Sequence, residues 1–353
     1  MIKKINTSDF LNLAINHPVF DVRSPGEYLH AHIPGAFNLP LFSDEERKIV
    51  GTAYKQEGKQ PAIKYGLEFF GPKMIPLIDD VKAFLKKSSS STILLHCWRG
   101  GMRSAAVAWL LDLYGFEVYL LEGGYKAYRQ HVLAVFDLPL RMQIIGGYTG
   151  SNKTGMLHQL KQMGHAVIDL EHIALHKGSA FGGIDMEPQP TQEMFENKLA
   201  VIVYQLYLAQ ENKMETNCWI EDESQRLGKL HIPHPFWNSM RQKTVFFLDI
   251  PFEERLKHII TCYGNLDKEK LITAVIRIRK RLGPLESKNC INFLLEDNVQ
   301  EAFRILLQYY DKTYQKSLQN REKPDEQIQT ISLESIDAIE NTHKLLACTK
   351  NFA

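Results

Sequence analysis

Residues 92–104 read Thr92-Ile-Leu-Leu-His96-Cys97-Trp-Arg99-Gly100-Gly101-Met-Arg103-Ser104. The run Thr92–His96 is short and mostly apolar, the pattern of a strand inside a sheet. A compact loop follows, and the apolar spacing from Ser104 to Tyr114 predicts a helix that Gly115 closes. Strand, loop and helix together place Cys97 at the C-terminal end of a parallel strand, facing a helix N-terminus. Unsatisfied backbone N–H groups and the positive helix end favour an anion there. Arg99 and Arg103 add positive charge, and Gly100 and Gly101 let the backbone curl so that its amides point inward. A thiolate in such a cradle has a depressed pKa, and the thiolate is the nucleophile. A lone cysteine is often inert packing. Two arginines and two glycines beside it favour chemistry.

Outward from this loop, the first 130 or so residues alternate helix and strand. Ser8 can cap a helix over 8–16, Pro18 breaks it, and Val19–Val22 is a short strand. The serine run Ser88–Ser91 separates a lysine-ended helix from Thr92, and Glu117–Leu121 is the next strand. Such alternation implies a parallel sheet covered on both faces. Residues 123–139 read as a connector containing a helix. A second α/β pattern then begins with a strand at Gln143–Ile145, a loop at Gly146–Thr154 and a helix at Gly155–Met163. Ala166–Leu170, Asn217–Ile220 and Val245–Ile250 are further apolar runs, each ending near an acid. Charged amphipathic helices fill about 251–320. The fold class is therefore α/β, with two domains at 1–135 and 136–353, the second ending in a helical part.

The loop Gly147-Tyr-Thr-Gly150-Ser151-Asn152-Lys153-Thr154 nearly fits G-x-x-x-x-G-K-[ST]. In such a loop the backbone N–H groups from Gly147 to Asn152 wrap phosphate oxygens, Lys153 reaches them, and the Thr154 hydroxyl serves Mg2+. Asn152 replaces the last glycine. Asparagine tolerates left-handed backbone angles, so the loop can form, but its Cβ is expected to crowd the phosphate side and weaken affinity. Asp169 and Asp222 are the carboxylates considered for Mg2+.

The net charge is +1, so nucleic-acid contact must come from a local patch. Residues 251–290 hold nine Lys/Arg against five Asp/Glu. Arg277, Arg279, Lys280 and Arg281 are the densest group, interleaved with Ile276, Ile278 and Leu282. They are candidates for RNA phosphate contacts, beside the simpler reading of a solvated helix face. The cysteines are Cys97, Cys218, Cys262, Cys290 and Cys348, odd in number and widely spaced. That argues against a disulfide framework and for a reducing cytoplasm; the last four read as packing residues. The start has no apolar stretch after its lysines, so no signal peptide is read. Leu199–Ala209 is too short to span a bilayer and reads as a buried helix; no membrane is expected. His172 with His176, and His231 with His234, lack completing ligands, so no metal set is assigned.

Three blocks resemble the rhodanese family: Phe20-Asp21-Val-Arg23-Ser-Pro-Gly-Glu27-Tyr with His30-Ala-His32-Ile-Pro-Gly35-Ala-Phe-Asn38-Leu-Pro40, the Cys97 loop, and Leu121-Glu-Gly-Gly-Tyr-Lys126. The resemblance implies that Cys97 carries or attacks a sulfur or selenium atom, while Asp21 and Arg23 organise the fold. With the P-loop, and with Val50-Gly-Thr-Ala-Tyr-Lys-Gln56, Asp169-Leu-Glu-His-Ile-Ala-Leu-His-Lys177-Gly-Ser179-Ala-Phe-Gly182 and Glu221-Asp-Glu-Ser-Gln-Arg226-Leu-Gly228, the chain resembles the tRNA 2-selenouridine synthase family over roughly 1–285. Asn152, and Lys177 where arginine is expected, depart from it. That family implies a transferase acting on tRNA that carries 2-thiouridine at the wobble position. The sulfur is first alkylated from geranyl diphosphate, and selenium from selenophosphate then displaces it. The resemblance implies no tightly bound cofactor, Mg2+ as a candidate ion, and a selenophosphate-supplying enzyme as a candidate partner. Two other readings stand beside it: a sulfurtransferase with a fused nucleotide-binding domain, and a non-catalytic persulfide sensor.

Overall fold

The computed structural model describes residues 2–86, 91–214 and 217–349. Most of the serine run at 88–91 lies outside these residues. The chain divides into two compact units, Met1–Val135 with Glu196–Val201, and Phe136–Phe195 with Ile202–Ala353.

The first unit holds a five-stranded sheet of β1 (Lys3–Ile5), β2 (Val19–Asp21), β3 (Phe37–Asn38), β4 (Thr92–His96) and β5 (Glu117–Leu121). The strands are all parallel, in the order β1-β5-β4-β2-β3. Its helices are α1 (Thr7–Ala14), α2 (Pro25–His30), α3 (Asp44–Gln56), α4 (Lys59–Phe70), α5 (Met74–Leu85), α6 (Met102–Leu113) and α7 (Gly124–Val135). β4 is central, and Ile93, Leu94 and Leu95 are wholly buried. Both faces being covered explains why the strand reads as an unbroken apolar run. Ile93 and Leu95 pack with Val107, Leu111, Phe20 and Val22. The first helix is capped by Asn6, whose Oδ1 accepts the Asp9 amide at 2.9 Å, rather than by Ser8. Either residue type can cap; Asn6 holds the extended backbone that a cap needs. α6 begins two residues before Ser104, and Gly115 takes a positive φ of 105° to end it.

The second unit holds a five-stranded parallel sheet in the order β12-β11-β6-β8-β7. Its strands are β6 (Met142–Gly147), β7 (Ala166–Ile168), β8 (Cys218–Glu221), β11 (Val245–Asp249) and β12 (Ile328–Ser332); β9 (Arg226–Leu227) and β10 (Leu230–His231) pair separately. The helices are α8 (Lys153–Gln162), α9 (Leu170–Ala174), α10 (Gln192–Glu211), α11 (His234–Arg241), α12 (Phe252–Tyr263), α13 (Lys268–Leu282), α14 (Pro284–Leu295), α15 (Val299–Gln319), α16 (Pro324–Gln327) and α17 (Ala338–Thr349). Ile145, Leu157, Trp219, Phe246 and Leu248 form the core around this sheet, and α12 to α15 build a separate helical core on Leu271, Val275, Phe303 and Leu306. The apolar run Leu199–Ala209 lies inside α10, but Gln205 and Leu208 are exposed, so the helix is only half-buried. No helix among the described residues is long and apolar enough to cross a membrane. All five cysteines are free. Cys218 and Cys290 are buried packing residues as expected, whereas Cys262 is exposed and Cys348 half-exposed.

Candidate functional site

In the first unit Cys97 follows β4 directly and is 3% exposed. Its loop is locked to the start of α7. The amides of Tyr125 and Lys126 donate to the Cys97 and Trp98 carbonyls at 2.8 and 2.9 Å. Gly100, at φ 63°, and Gly124, at φ 61°, meet backbone to backbone. A Cβ on Gly124 would lie 2.4 Å from the Gly100 nitrogen and 2.5 Å from the Cys97 carbonyl oxygen, so no other residue fits there. This is the physical reason for the Gly123-Gly124-Tyr125 block.

The cradle around the sulfur differs from the expected one. The Ser104 hydroxyl donates to Cys97 Sγ at 3.2 Å. Burial pushes the thiol up, but hydrogen bonds from the Ser104 hydroxyl, the Ser104 amide and the Arg99 amide, with the Arg103 charge, bring it net below the ordinary thiol range. Arg103 is tied down: its Nη1 donates to Glu27 Oε2 at 2.6 Å, and Arg47 pairs with the other oxygen of Glu27 at 3.4 Å. Arg99 contributes its backbone while its side chain is exposed, and Gly101 has an ordinary negative φ. Asp21 and Arg23 form a wholly buried ion pair. Arg23 also donates to the Ala31 carbonyl and stacks 3.9 Å from the Tyr125 ring centroid, the behaviour of a structural pair. Because the thiol is depressed, Cys97 thiolate should persist to lower pH than an ordinary cysteine. Its ultraviolet absorbance, read against Cys97→Ser, should titrate with a midpoint below that range, and Ser104→Ala should move the midpoint up. An unshifted midpoint in Ser104→Ala would remove the hydroxyl from the cradle.

In the second unit the loop after β6 turns into α8. Asn152 sits at φ 56°, ψ 37°, the left-handed conformation that glycine usually supplies, and its cost of about 1 kcal/mol is of the size one good hydrogen bond offsets. That bond exists: Asn152 Nδ2 donates to the Ile336 carbonyl at 3.0 Å, and its Oδ1 lies over Gly155. The side chain is thus engaged with its own helix and the segment before α17. Gly150 has φ 86°, and a Cβ there would come 2.9 Å from the Arg255 carbonyl. Lys153 Nζ donates to the Gly147 carbonyl at 2.9 Å, folded across the loop. The Gly147 amide donates to the Tyr314 hydroxyl at 3.1 Å, and the Ser151 amide to the Tyr148 carbonyl at 3.2 Å. The loop is braced from outside by Arg255, which donates to the Thr149 carbonyl and pairs with Asp311 at 2.7 Å. Neither Tyr314 nor Arg255 carries a local sequence signal.

Both aspartates are engaged by other partners. Asp169 caps α9 by accepting the His172 amide at 2.8 Å, and Asp222 is held by Arg321 at 2.6 Å and by the Tyr314 hydroxyl at 2.8 Å. Beside them Glu171, Glu221 and Glu223 converge, one carboxylate oxygen of each lying within 4.8 Å of the others. Thr154 Oγ1 donates to Glu171 Oε2 at 3.3 Å. Three ionised carboxylates at that spacing repel by about 3 kcal/mol per pair at an effective dielectric near 20. Burial foremost, then the neighbouring acids, pushes Glu221 well above the carboxylate range, and burial followed by Glu171 pushes Glu223 up to about 8 against the pull of Lys153. Glu171 is also raised by burial, with Lys153 and Thr154 opposing. The cue was present: Leu170-Glu171 and Ile220-Glu221-Asp-Glu223 close the same apolar runs.

Two family models match in series, a rhodanese-like domain at residues 6–131 and the tRNA 2-selenouridine synthase AAA domain at 140–343. A tRNA 2-selenouridine synthase from Nitrosomonas europaea is 36% identical over 81% of this chain and 73% of its own length. One from Hydrogenovibrio crunogenus is 34% identical over 90% and 93%. The chain belongs to the tRNA 2-selenouridine synthase family. It is therefore an enzyme, and its two candidate sites, the Cys97 loop and the loop at Gly147–Thr154, stand on separate sheets. A third relative, from Shewanella halifaxensis, is 31% identical over 91% and 94%.

The basic group lies on α13. Arg277, Arg279, Lys280 and Arg281 are all exposed, and no ion pair to any of them is present among the described residues. Ile278 and Leu282 are buried and fix the helix, whereas Ile276 is 49% exposed and faces out with the arginines.

Proposed function

We propose that this chain converts wobble 2-thiouridine in tRNA to 2-selenouridine in two steps, one at each site. The observation that carries this is the pairing, in a chain 34–36% identical to named 2-selenouridine synthases, of a thiol held below its ordinary range with a phosphate-type loop at a helix start. In the first step the thiocarbonyl sulfur attacks C1 of geranyl diphosphate. The C–O bond breaks, diphosphate leaves with the electron pair, and the base gives up its N3 proton to solvent. Positive groups at the loop, Lys153 and the N-terminus of α8, stabilise that developing charge. In the second step selenium of selenophosphate attacks C2 of the base, the C–S bond breaks and sulfur leaves as the geranyl thiolate, which takes a proton from solvent. Water then attacks phosphorus, the Se–P bond breaks, phosphate departs and selenium stays on C2. Alkylation is what makes sulfur a competent leaving group. Cys97 serves the second step, in a cradle whose amide and hydroxyl donors suit anionic selenium or sulfur.

A nucleoside digest of tRNA from cells with and without this protein tests the reading. 2-Selenouridine should vanish without it and 2-thiouridine should persist. Unchanged 2-selenouridine would contradict it.

The same reading assigns the tRNA backbone to α13. Replacing Arg277, Arg279 and Arg281 with glutamine should weaken binding of modified and unmodified tRNA alike, since phosphate contacts carry no base information. The slope of log affinity against log salt should flatten by roughly 2–3 if all three contact phosphates. If prenyl-diphosphate binding falls instead and tRNA affinity stays, α13 acts as a lid; if both stay, it is a solvated face.

A further inference from the structure

We infer that Trp98 is a stacking platform for an unpaired nucleobase, the base that an RNA presents to Cys97. This rests on the proposed reading of tRNA as the substrate and adds the side chain that receives the base. Cys97 and Trp98 are neighbours in the chain with opposite burial: the cysteine is 3% exposed and the tryptophan 37%. A base whose C2 is to react near Cys97 has to leave the stack of its own RNA strand. An aromatic ring one residue from the thiol replaces the stacking that the base gives up.

Exposed apolar residues are ordinary on protein surfaces. Trp109 on α6 is such a residue in the same unit, 51% exposed. Trp98 differs in being held from behind. Its ring centroid lies 5.7 Å from that of Tyr125, tilted by 39°, and the Arg23 guanidinium lies 5.9 Å from it. Tyr125 is wholly buried, and Arg23 is 1% exposed and fixed by its pair with Asp21. The backbone is fixed as well, since the Trp98 carbonyl accepts the Lys126 amide at 2.9 Å. The ring is thus backed by buried groups while more than a third of the residue's surface stays open. A side chain already ordered in this way loses little conformational freedom when a flat partner stacks on it.

The surroundings select the partner. Arg99 follows Trp98 in the loop, and Lys126 is tied to it through the backbone bond. Both side chains are exposed, and neither has an ion pair among the described residues. Glu122, also exposed, is the acid of the block that carries Lys126. An open aromatic ring with two free cations beside it suits a base and the phosphates on either side of that base, the combination that holds single-stranded RNA. An apolar protein segment laid on the ring would leave both cations unused. Stacking accepts any base, because every base has a flat π face. Trp98 therefore supplies affinity for an unpaired base and leaves discrimination of the 2-thio group to other contacts.

The experiment uses the full chain and tRNA bearing 2-thiouridine, with neither donor present. The emission of Trp98 is the difference between wild type and Trp98→Phe. It should be quenched as tRNA is added and stay unchanged with a plain RNA duplex. Trp98→Leu, which keeps an apolar side chain without a ring, should bind tRNA about tenfold to a hundredfold more weakly. Trp98→Phe should recover most of that affinity, and Trp109→Leu should bind as wild type does. The Cys97 thiolate should titrate at the wild-type midpoint in Trp98→Leu, because its hydroxyl and amide donors remain. A purely structural role for the ring would move that midpoint. If it moves, the quench in wild type alone decides. Trp98 emission that does not respond to tRNA overturns the proposal, as does wild-type affinity in Trp98→Leu. Either result, with tRNA still bound by wild type, keeps tRNA as the substrate and removes the stacking site. No tRNA binding by wild type removes both.

Discussion

Cys97→Ala should leave S-geranyl-2-thiouridine in tRNA and form no 2-selenouridine, a loss of at least about a thousandfold in the second step, the scale seen when a group central to one step of catalysis is removed outright. The first step should proceed at close to the wild-type rate. Cys97 stands on the sheet of the first unit, and its sulfur is the focus of the Ser104 hydroxyl and of the Ser104 and Arg99 amides. Ser104→Ala should fall between the two, because the sulfur keeps its amide donors while losing the hydroxyl. Nucleoside mass spectrometry of tRNA after reaction with both donors reads all three proteins. 2-Selenouridine formed by Cys97→Ala would remove the cysteine from the reaction.

The second large effect belongs to Lys153. Lys153→Ala should slow geranylation by about a hundredfold to a thousandfold, the usual consequence of removing one group that stabilises a developing negative charge. Supplied with tRNA already geranylated, the variant should keep most of its selenation. The residue bonds the carbonyl of the buried Gly147 at 2.9 Å, so a thermal melt of the variant beside wild type separates loss of the step from loss of the fold. Normal geranylation by Lys153→Ala would mean that the loop serves another ligand. The pair of variants divides the reaction: each blocks one step and spares the other.

Local features of both sites could be read from the chain, and distant ones could not. Cys97 and its loop were legible because strand, glycines and helix start follow one another within thirteen residues. The composition of the cradle was not. Arg103 is drawn to Glu27, which lies 76 positions away, and Ser104 looks in sequence like an ordinary helix start. Asn152 in a left-handed conformation followed from its residue type. Its side chain's bond to the Ile336 carbonyl, 184 positions away, did not, and that bond offsets the cost of the conformation. The gathering of Glu171, Glu221 and Glu223 was not legible either, because strand order is invisible in sequence. β8 lies beside β6 and β7 beside β8, which brings Glu221 to the Glu171 amide, while Asp222 turns to Arg321. The edge strand β12 escaped notice because Ile328-Gln-Thr-Ile-Ser332 has no apolar run, and only its pairing with β11 makes it a strand.

The central claim, two donors used in order at two sites, is tested most directly by adding them one at a time. Purified protein and tRNA bearing 2-thiouridine are first given geranyl diphosphate alone, then selenophosphate, with nucleosides sampled throughout. S-Geranyl-2-thiouridine should accumulate in the first phase and convert to 2-selenouridine in the second, and selenophosphate alone should leave 2-thiouridine unchanged. Conversion of 2-thiouridine to 2-selenouridine without any geranyl donor would contradict the account.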